Sequence, residues 1–261
     1  MSKVLLYDCD GVLGDTEEHG HLPAFNRMWR EFDVPWQWSV EEYGRKLAIG
    51  GGKERMASLF EDEDFLAVVP HPGSAEAVGQ IVSAWHRRKS AIYEEMIVSG
   101  QVPARPGVSR LAGEALEAGW LLGVCSTSKR ESVLAVLGHT MGEAMAARFS
   151  LIIAGDEVKA KKPAPDIYEL AAEKLGVSRD ECVVIEDSRN GLVAADRAGM
   201  RCLVTVSGYT RDEGFAEAAL VVTSLGDPDG ERCEVLANPA GAKVTSFVTV
   251  ENLDEILRWS H

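Results

Sequence analysis

The stretch KVLLYDCDGVLGDTEE, residues 3–18, decides the fold that this sequence predicts. Four apolar residues, 4–7, are followed at once by two aspartates, Asp8 and Asp10, that are separated by a single residue. A short apolar run without polar alternation is typical of a strand that is buried on both faces of a parallel sheet. Ligands of such sheets bind beyond the carboxyl ends of the strands, so the two carboxylates stand where a binding site is expected.

Further apolar runs repeat this pattern along the chain. They are residues 121–125, 151–153, 182–185 and 202–206. Helical patterns lie between them: residues 165–175 stop at Gly176 and residues 190–198 stop at Gly199, and glycine commonly ends a helix. The alternation of strand and helix predicts an α/β fold with a Rossmann-like, doubly wound parallel sheet.

The alternation is interrupted between residues 17 and 103, where no good strand is present and several helical patterns follow one another. These patterns cover residues 22–33, 39–47, 52–60 and 74–99, and four tryptophans fall among them: Trp29, Trp36, Trp38 and Trp85. We therefore predict an inserted all-helical domain, residues 17–103, with its own aromatic core. The sheet domain then comprises residues 1–16 and 104–261. Residues 226–242 show no clear pattern, and the end of the chain predicts a strand followed by a terminal helix.

The composition restricts the classes of partner. The 261 residues include 27 basic and 41 acidic side chains, a net charge of -14, which argues against nucleic acid or an anionic membrane as the main partner. A small anionic substrate stays compatible with this charge, because a local basic cluster or a metal ion can dominate one cleft. No apolar run has the length of a signal peptide or a membrane span.

The five cysteines, an odd number without a CxxC pair, are expected to be small buried residues of a protein in a reducing compartment. We expect a monomer in the cytoplasm, or in the plastid stroma if a transit peptide has been removed.

Polar residues follow the carboxyl ends of four predicted strands. They are Asp8 and Asp10 after the first strand, Ser126 and Thr127 after the second, Lys161 and Lys162 after the third, and Glu186 and Asp187 after the fourth. Each group alone is compatible with a helix cap or a solvated turn. Their common position at one edge of the sheet favours a single catalytic site.

Clustered carboxylates repel one another unless a cation lies among them. Mg²⁺ prefers oxygen ligands, and Asp8, Asp187 and the backbone carbonyl of Asp10 would supply them, with Glu186 as a further ligand or as support for the others. Ser126 and Lys162 would hold the oxygens of a phosphoryl group. Asp8 is then the candidate nucleophile, forming an aspartyl-phosphate, and Asp10 is the candidate acid and base for the leaving alcohol and the attacking water.

The four motifs resemble those of the haloacid dehalogenase-like phosphotransferase superfamily. They read DCDGVLGDTE, VCSTS, KKPAPDIY and VIEDSRNG. The resemblance implies that Asp8 is the nucleophile, Asp10 the acid and base, Ser126 and Lys162 the phosphate ligands, and that Glu186 and Asp187 lie at Mg²⁺. A carboxylic acid at position 10 argues against dehalogenation, because a departing halide needs no proton.

The helical insertion is similar to the cap of the phosphoglucomutase-like subgroup, which selects the substrate. Its best candidate stretch is IGGGKERM, residues 49–56, in which Lys53 and Arg55 would bind an anion. Glu17 and His21 would bind sugar hydroxyls, and His19 competes with His21 for this role. The remaining substrate-binding candidates are Thr127 in the second motif and Arg105 at the return to the sheet domain.

Further stretches resemble the CbbY-type sugar-bisphosphate phosphatases more specifically. They are GGGKERM, PWQW, the GH after Glu17, and SGYT at 207–210. That resemblance implies removal of the 1-phosphate of xylulose-1,5-bisphosphate, an inhibitor of Rubisco. Two other functions stay open at this point: a phosphosugar mutase, which passes the phosphate to a second sugar, and a non-catalytic binder of a phosphorylated ligand.

Overall fold

A computed structural model describes residues 2–49, 51–155 and 157–260 of the chain. The chain divides into two compact units. We call Met1–Asp15 together with Pro103–His261 the sheet unit, and Thr16–Val102 the helical unit. The predicted domain limits fall one residue from each of these boundaries.

The sheet unit is built on one seven-stranded sheet in the order β3-β2-β1-β4-β5-β6-β7. Its strands are Val4–Tyr7 (β1), Leu121–Cys125 (β2), Leu151–Ile153 (β3), Cys182–Glu186 (β4), Arg201–Thr205 (β5), Leu220–Val222 (β6) and Val235–Ala237 (β7). All pairs are parallel except β6 with β7. The predicted doubly wound parallel sheet is therefore confirmed, with an antiparallel strand added at one edge.

Two strands were not predicted, and one predicted strand is wrong. Strands β6 and β7 have only three residues each, too few for a periodic pattern, and β7 is exposed on both faces. The predicted strand before the terminal helix is absent: Val248 makes a single backbone hydrogen bond, to Leu225, and a helix begins at Val250. Residues 226–242, for which no element was predicted, contain β7.

The helices follow the predicted alternation. In the helical unit they are Leu22–Glu31 (α1), Val40–Lys46 (α2), Gly52–Ala57 (α3), Glu63–Val68 (α4) and Ala75–Val98 (α5); in the sheet unit they are Val108–Glu117 (α6), Arg130–Met141 (α7), Glu143–Ala146 (α8), Asp166–Leu175 (α9), Arg189–Arg197 (α10) and Val250–Arg258 (α11). Helices α9 and α10 pack on one face of the sheet, where their apolar side chains join Val4, Leu6 and Val184 in one core. The opposite pleat carries Tyr7, whose ring lies 6.1 Å from that of Phe149.

Aromatic rings form the core of the helical unit. Trp29 and Trp38 are buried and meet edge to face at 4.6 Å between ring centroids, and Phe25 packs on both. Trp85 is also buried, whereas Trp36 is half-buried against Phe65. The predicted aromatic core is thus confirmed. Large rings that interlock in this way contribute much of the buried area on which a unit without a sheet depends.

Side-chain caps set the limits of these helices. Ser39 and Glu42 form a reciprocal capping box at the start of α2, and Asp62 and Ser74 accept backbone hydrogen bonds at the starts of α4 and α5. Gly176 ends α9 in the left-handed conformation, as the sequence predicts.

No helix among the described residues is long and apolar enough to cross a lipid bilayer. All five cysteines are buried with free thiols, which confirms their predicted burial.

Candidate active site

The side chain of Lys162 lies at the centre of the candidate active site, between two buried carboxylates. Its Nζ donates to Asp8 Oδ1 at 2.6 Å, to Glu186 Oε1 at 2.6 Å and to the carbonyl oxygen of Cys125 at 2.9 Å. Asp8, Glu186 and Cys125 belong to the ends of three adjacent strands, so one ammonium group ties β1, β2 and β4 together. The loop that follows β3 supplies this lysine, as the sequence predicts.

The register of the sheet explains why these groups meet. Tyr7 of β1 stands opposite Val124 of β2 and Ile185 of β4, so the next residues along, Asp8 and Glu186, stand at the same level at the carboxyl edge of the sheet. The backbone N–H of Asp8 still donates to the carbonyl oxygen of Ile185, at 2.9 Å. The hydrogen-bonded strands therefore fix the backbone positions from which the side chains of Asp8 and Glu186 extend.

Three carboxylates of this site are close enough to hold one metal ion. Asp8, Glu186 and Asp187 each offer an oxygen, and these oxygens lie within 4.8 Å of one another. Two glycines leave room for them: a Cβ at Gly11, whose φ is +78°, would lie 2.2 Å from an Asp187 oxygen, and a Cβ at Gly191 would lie 1.9 Å from the Glu186 carboxyl carbon. Oxygen donors gathered in a cradle that only glycine permits fit a hard divalent cation.

The charges of this site shift the pKa values of its members. Burial raises the pKa of Asp8 to about 7; Lys162 opposes this shift, while Glu186 and Asp10 add to it. Burial alone would lower the pKa of Lys162, but the charges and hydrogen bonds of Asp8 and Glu186 outweigh it and raise the pKa above its ordinary value. Lys162 thus stays protonated, and one ammonium group does not offset all the negative charge around it.

Glu186 is the most thoroughly engaged carboxylate of the site. Besides Lys162, its Oε1 accepts from the hydroxyl of Tyr168 at 2.5 Å, and its Oε2 lies 3.3 Å from the backbone nitrogen of Asp187. The side chain is 1% exposed. The geometry favours Glu186 as the residue that holds Lys162 in place, the supporting role that the sequence left open for it. Tyr168 was not predicted, although it lies within the KKPAPDIY motif, because tyrosine in a helix ordinarily indicates a core position.

The second motif surrounds Asp10. Ser128 Oγ donates to Asp10 Oδ2 at 2.5 Å, and the backbone N–H of Ser128 donates to Ser126 Oγ at 3.1 Å. Ser126 is buried, and Thr127 is half-buried. The structure thus brings Asp10 and Ser126 together through Ser128, a residue that the sequence analysis did not single out although it belongs to the quoted VCSTS stretch.

In the helical unit, two of the predicted substrate-binding residues are joined by a third side chain. The hydroxyl of Tyr43 donates to Glu17 Oε2 at 2.5 Å and accepts from Arg55 Nη1 at 3.0 Å. Arg55 Nε also donates to the carbonyl oxygen of Ile49, at 2.9 Å. Lys53 lies exposed in the first turn of α3 and is not part of this network. Gly50, within the quoted glycine run, lies outside the described residues.

His21 contacts a buried lysine. Its Nδ1 lies 2.8 Å from the Nζ of Lys89, and its ring lies 4.0 Å from that of Tyr93. Burial holds the pKa of His21 well below its ordinary value, and the cations Lys89 and Arg55 add to this effect, so the imidazole is neutral. His19, the competing candidate, is exposed.

Arg105 binds backbone and side-chain oxygens of the sheet unit. Its Nη2 donates to the hydroxyl of Thr205 and to the carbonyl oxygens of Val206 and Thr223, at 3.1, 2.7 and 3.0 Å. These partners lie at the carboxyl ends of β5 and β6, where the guanidinium satisfies backbone oxygens that leave the sheet. These hydrogen bonds give Arg105 a structural role, and its predicted part in substrate binding stays a prediction.

Comparisons with known proteins identify the family of this chain. Residues 2–199 match the haloacid dehalogenase-like hydrolase family. A CBBY-like protein of Arabidopsis thaliana is 43% identical over 235 residues, which are 90% of this chain and 73% of that protein. The plasmid-encoded CbbY protein of Cupriavidus necator is 37% identical over 226 residues, or 87% of each chain.

A solved structure resembles most of this chain. It is a mutant of CbbY from Rhodobacter sphaeroides, crystallised in complex with xylulose-1,5-bisphosphate. It superimposes with a TM-score of 0.73 at 38% sequence identity, covering 86% of this chain and 95% of that one.

Proposed function

The chain belongs to the haloacid dehalogenase-like hydrolase family, and from that premise we propose that it removes one phosphate from xylulose-1,5-bisphosphate through a covalent phosphate on Asp8. It is a phosphoric monoester hydrolase. The substrate, the metal ion and the individual residue roles belong to the proposal. The observation that carries them is the buried cluster in which Lys162 contacts both Asp8 and Glu186, beside Asp187.

Mg²⁺ is the cation that best fits this donor set. Asp8, Asp187 and the backbone carbonyl of Asp10 would hold it, while Glu186 keeps Lys162 in place. When bound, the ion would supply positive charge to the phosphate oxygens and would oppose the effect of burial and of the neighbouring carboxylates, which raise the pKa of Asp8. Lys162 supplies a second positive charge, held within the cluster by Asp8 and Glu186.

The first half of the reaction transfers phosphate to the protein. An oxygen of Asp8 attacks phosphorus, the bond from phosphorus to the sugar oxygen breaks, and Asp10 gives its proton to the departing alcohol. Lys162 and Ser126 hold the equatorial oxygens of the phosphoryl group, whose charge is spread in the transition state. Ser128 fixes one oxygen of Asp10 by its hydrogen bond, which orients the carboxyl group.

The second half returns the protein to its starting state. Asp10, now ionised, takes a proton from water, and the water oxygen attacks phosphorus and displaces the carboxylate of Asp8. Inorganic phosphate leaves, and Asp10 holds the proton for the next turnover.

The choice of a bisphosphate depends on the helical unit. Lys53 and Arg55 carry two positive charges in the stretch IGGGKERM, and the charged N–H groups of lysine and arginine are strong donors to phosphate. Glu17 and the neutral His21 would bind sugar hydroxyls. The similarity to CbbY proteins, one of which was crystallised with xylulose-1,5-bisphosphate, supports this choice.

The test is a panel of phosphorylated sugars assayed for phosphate release with Mg²⁺ and again with EDTA. We expect xylulose-1,5-bisphosphate to have the highest kcat/KM and EDTA to abolish turnover. A sugar monophosphate preferred over every bisphosphate would contradict the proposed substrate. Isomerisation of a sugar 1-phosphate in the presence of trace bisphosphate, without net phosphate release, would instead identify a mutase.

The cellular location of the protein and its monomeric state stay predictions.

A further inference from the structure

The hydroxyl of Tyr43 lies between two side chains to which the proposed function assigns substrate recognition. It donates to Glu17 and accepts from Arg55, and it is the group that links the two. The Tyr43 ring is fully buried and packs against Phe25 and Trp38, with ring centroids 5.8 and 5.6 Å away. Because Phe25 and Trp38 pack against the ring of Tyr43, the position of its hydroxyl oxygen is closely restricted.

This hydroxyl keeps the two charged groups apart. Arg55 Nη1 and Glu17 Oε2 are 3.9 Å from each other, whereas a direct pair between a guanidinium and a carboxylate closes to about 2.8 Å and is commonly bidentate. A direct bidentate pair would also engage Nη2, the nitrogen that would donate to a phosphate. With Tyr43 between them, Arg55 uses Nε and Nη1 within the protein, and its Nη2 makes no hydrogen bond to the described residues.

We infer that Tyr43 is a positioning residue that determines specificity. Its hydroxyl holds Glu17 and Arg55 at a separation at which the carboxylate accepts from a sugar hydroxyl while the guanidinium donates to a phosphate of the same molecule. The inference rests on the proposed function for the roles of Glu17 and Arg55. Without the hydroxyl, Arg55 closes onto Glu17 and both groups are withdrawn from the substrate.

The test compares Tyr43→Phe with Tyr7→Phe. Tyr7 is equally buried, and its hydroxyl makes no hydrogen bond to the described residues, so its removal is the matched control. Each variant is assayed with xylulose-1,5-bisphosphate and with p-nitrophenyl phosphate, which has neither a sugar hydroxyl nor a second phosphate. For Tyr43→Phe we expect KM for the bisphosphate to rise about tenfold or more, the effect of losing hydrogen bonds to charged groups. The KM of Tyr43→Phe for p-nitrophenyl phosphate should stay at the wild-type value. The KM values of Tyr7→Phe for both substrates should also stay at the wild-type values.

A double variant separates positioning from general destabilisation. In a Glu17→Gln background Arg55 has no carboxylate onto which it can close, so adding Tyr43→Phe should raise KM for the bisphosphate far less than it does in the wild type. If Tyr43→Phe does not fold, Glu17→Asp tests the same separation, because the shorter acid withdraws from the hydroxyl; the same selective rise in KM is expected.

Two results would overturn the inference: an equal loss with both substrates, or independent effects of the two substitutions in the double variant. Failure of the proposed function is distinguishable from either. In that case the wild-type protein itself shows no preference for the bisphosphate, while its hydrolysis of p-nitrophenyl phosphate continues.

Discussion

The two units of this protein hold their polar side chains in different ways. In the sheet unit, Lys162, Asp8 and Glu186 emerge from the ends of paired strands and are almost completely buried, with direct contacts of 2.6 Å. In the helical unit, Glu17 begins a short π-helical segment, Glu17–His21, and Arg55 lies in α3. The two side chains meet through the hydroxyl of Tyr43. The paired strands of the sheet unit restrict the positions of Asp8, Lys162 and Glu186. The positions of Glu17 and Arg55 depend on side-chain packing in the helical unit, so they can change without altering the contacts among Asp8, Lys162 and Glu186.

This difference predicts a division of labour that mutations can test. Changes in the sheet unit should affect every phosphate ester equally, because all of them use the same nucleophile and the same charges. Changes in the helical unit should affect substrates according to what lies beyond the reacting phosphate.

The largest effect is expected from Asp8→Asn. The amide is a poor nucleophile, so turnover should fall about 10⁴-fold or more for every phosphate ester, the scale on which loss of a nucleophile acts. Lys162 keeps Glu186 as a partner, so the fold should persist, which circular dichroism and thermal unfolding would check. A variant that retains measurable turnover on any ester would place the nucleophile elsewhere.

Removal of the metal ion should affect every phosphate ester, as Asp8→Asn does, and the effect should be reversible. EDTA should abolish turnover of all esters, and added Mg²⁺ should restore it. Mg²⁺ should also raise the unfolding temperature of the wild-type protein, since a ligand that binds only the folded state stabilises it. Asp187→Asn removes one of the three clustered carboxylates and should show little of this rise. An equal rise in both proteins would mean that the ion binds elsewhere.

Glu186→Gln should chiefly destabilise the sheet unit. With EDTA present, we expect the free energy of unfolding to fall by about 3 kcal/mol, because the substitution breaks a buried ion pair while keeping the shape of the side chain. Tyr168→Phe removes a hydrogen bond to the same carboxylate and should reduce it by about 1.5 kcal/mol. Urea unfolding measures both. The opposite ranking would show that the tyrosine, and not the lysine, is the main partner of Glu186.

Substitutions in the glycine-rich stretch should sharpen the contrast between the units. Lys53→Ala and Arg55→Ala should each lower kcat/KM for xylulose-1,5-bisphosphate about tenfold, as expected for loss of one charged hydrogen bond, and leave p-nitrophenyl phosphate unaffected. Arg45→Ala is the control, since Arg45 is an exposed cation of α2 that pairs with Glu41 one turn away. Equal losses on both substrates would deny the helical unit a role in selecting the second phosphate.

The smallest predicted effect concerns pH and His21. The folded protein holds the pKa of this imidazole well below its ordinary value of 6.5, so below about pH 6.5 the unfolded chain binds a proton that the folded chain does not. The free energy of unfolding should therefore fall as the pH drops through this region, and it should fall less steeply in His21→Gln. Urea unfolding at pH 7 and at pH 5 measures this free energy for both proteins. An equal fall between the two pH values in the wild type and in His21→Gln would show that His21 is freely protonated in the folded state.

The same difference between the units explains what the sequence could predict. The proposed catalytic side chains follow recognisable strands, and strands of a parallel sheet end at one edge. The positions of the motifs therefore predict that Asp8, Ser126, Lys162 and Glu186 lie at the same edge. The supporting hydroxyls have no such signal. Tyr43 and Glu17 are hydrogen-bonded although they are 26 residues apart in the sequence, and Ser128 and Asp10 although they are 118 residues apart. No local sequence pattern predicts contacts between residues so far apart in the sequence.

Arg105 shows the same limit from the other side. Its position at the return to the sheet domain predicts a substrate-binding residue and nothing about its partners in the sheet. Its partners at the ends of β5 and β6 lie about a hundred residues further along the chain, so only the folded sheet reveals that it satisfies backbone oxygens.

The most direct test of the central claim is to identify the residue that carries the phosphate during turnover. The protein would be mixed with ³²P-labelled substrate and Mg²⁺, quenched in acid within milliseconds, digested, and its labelled peptide sequenced by mass spectrometry. We predict an acid-stable, hydroxylamine-sensitive label on the peptide that contains Asp8, and no label in Asp8→Asn. Label on any other residue, or steady turnover with no covalent label, would contradict the account.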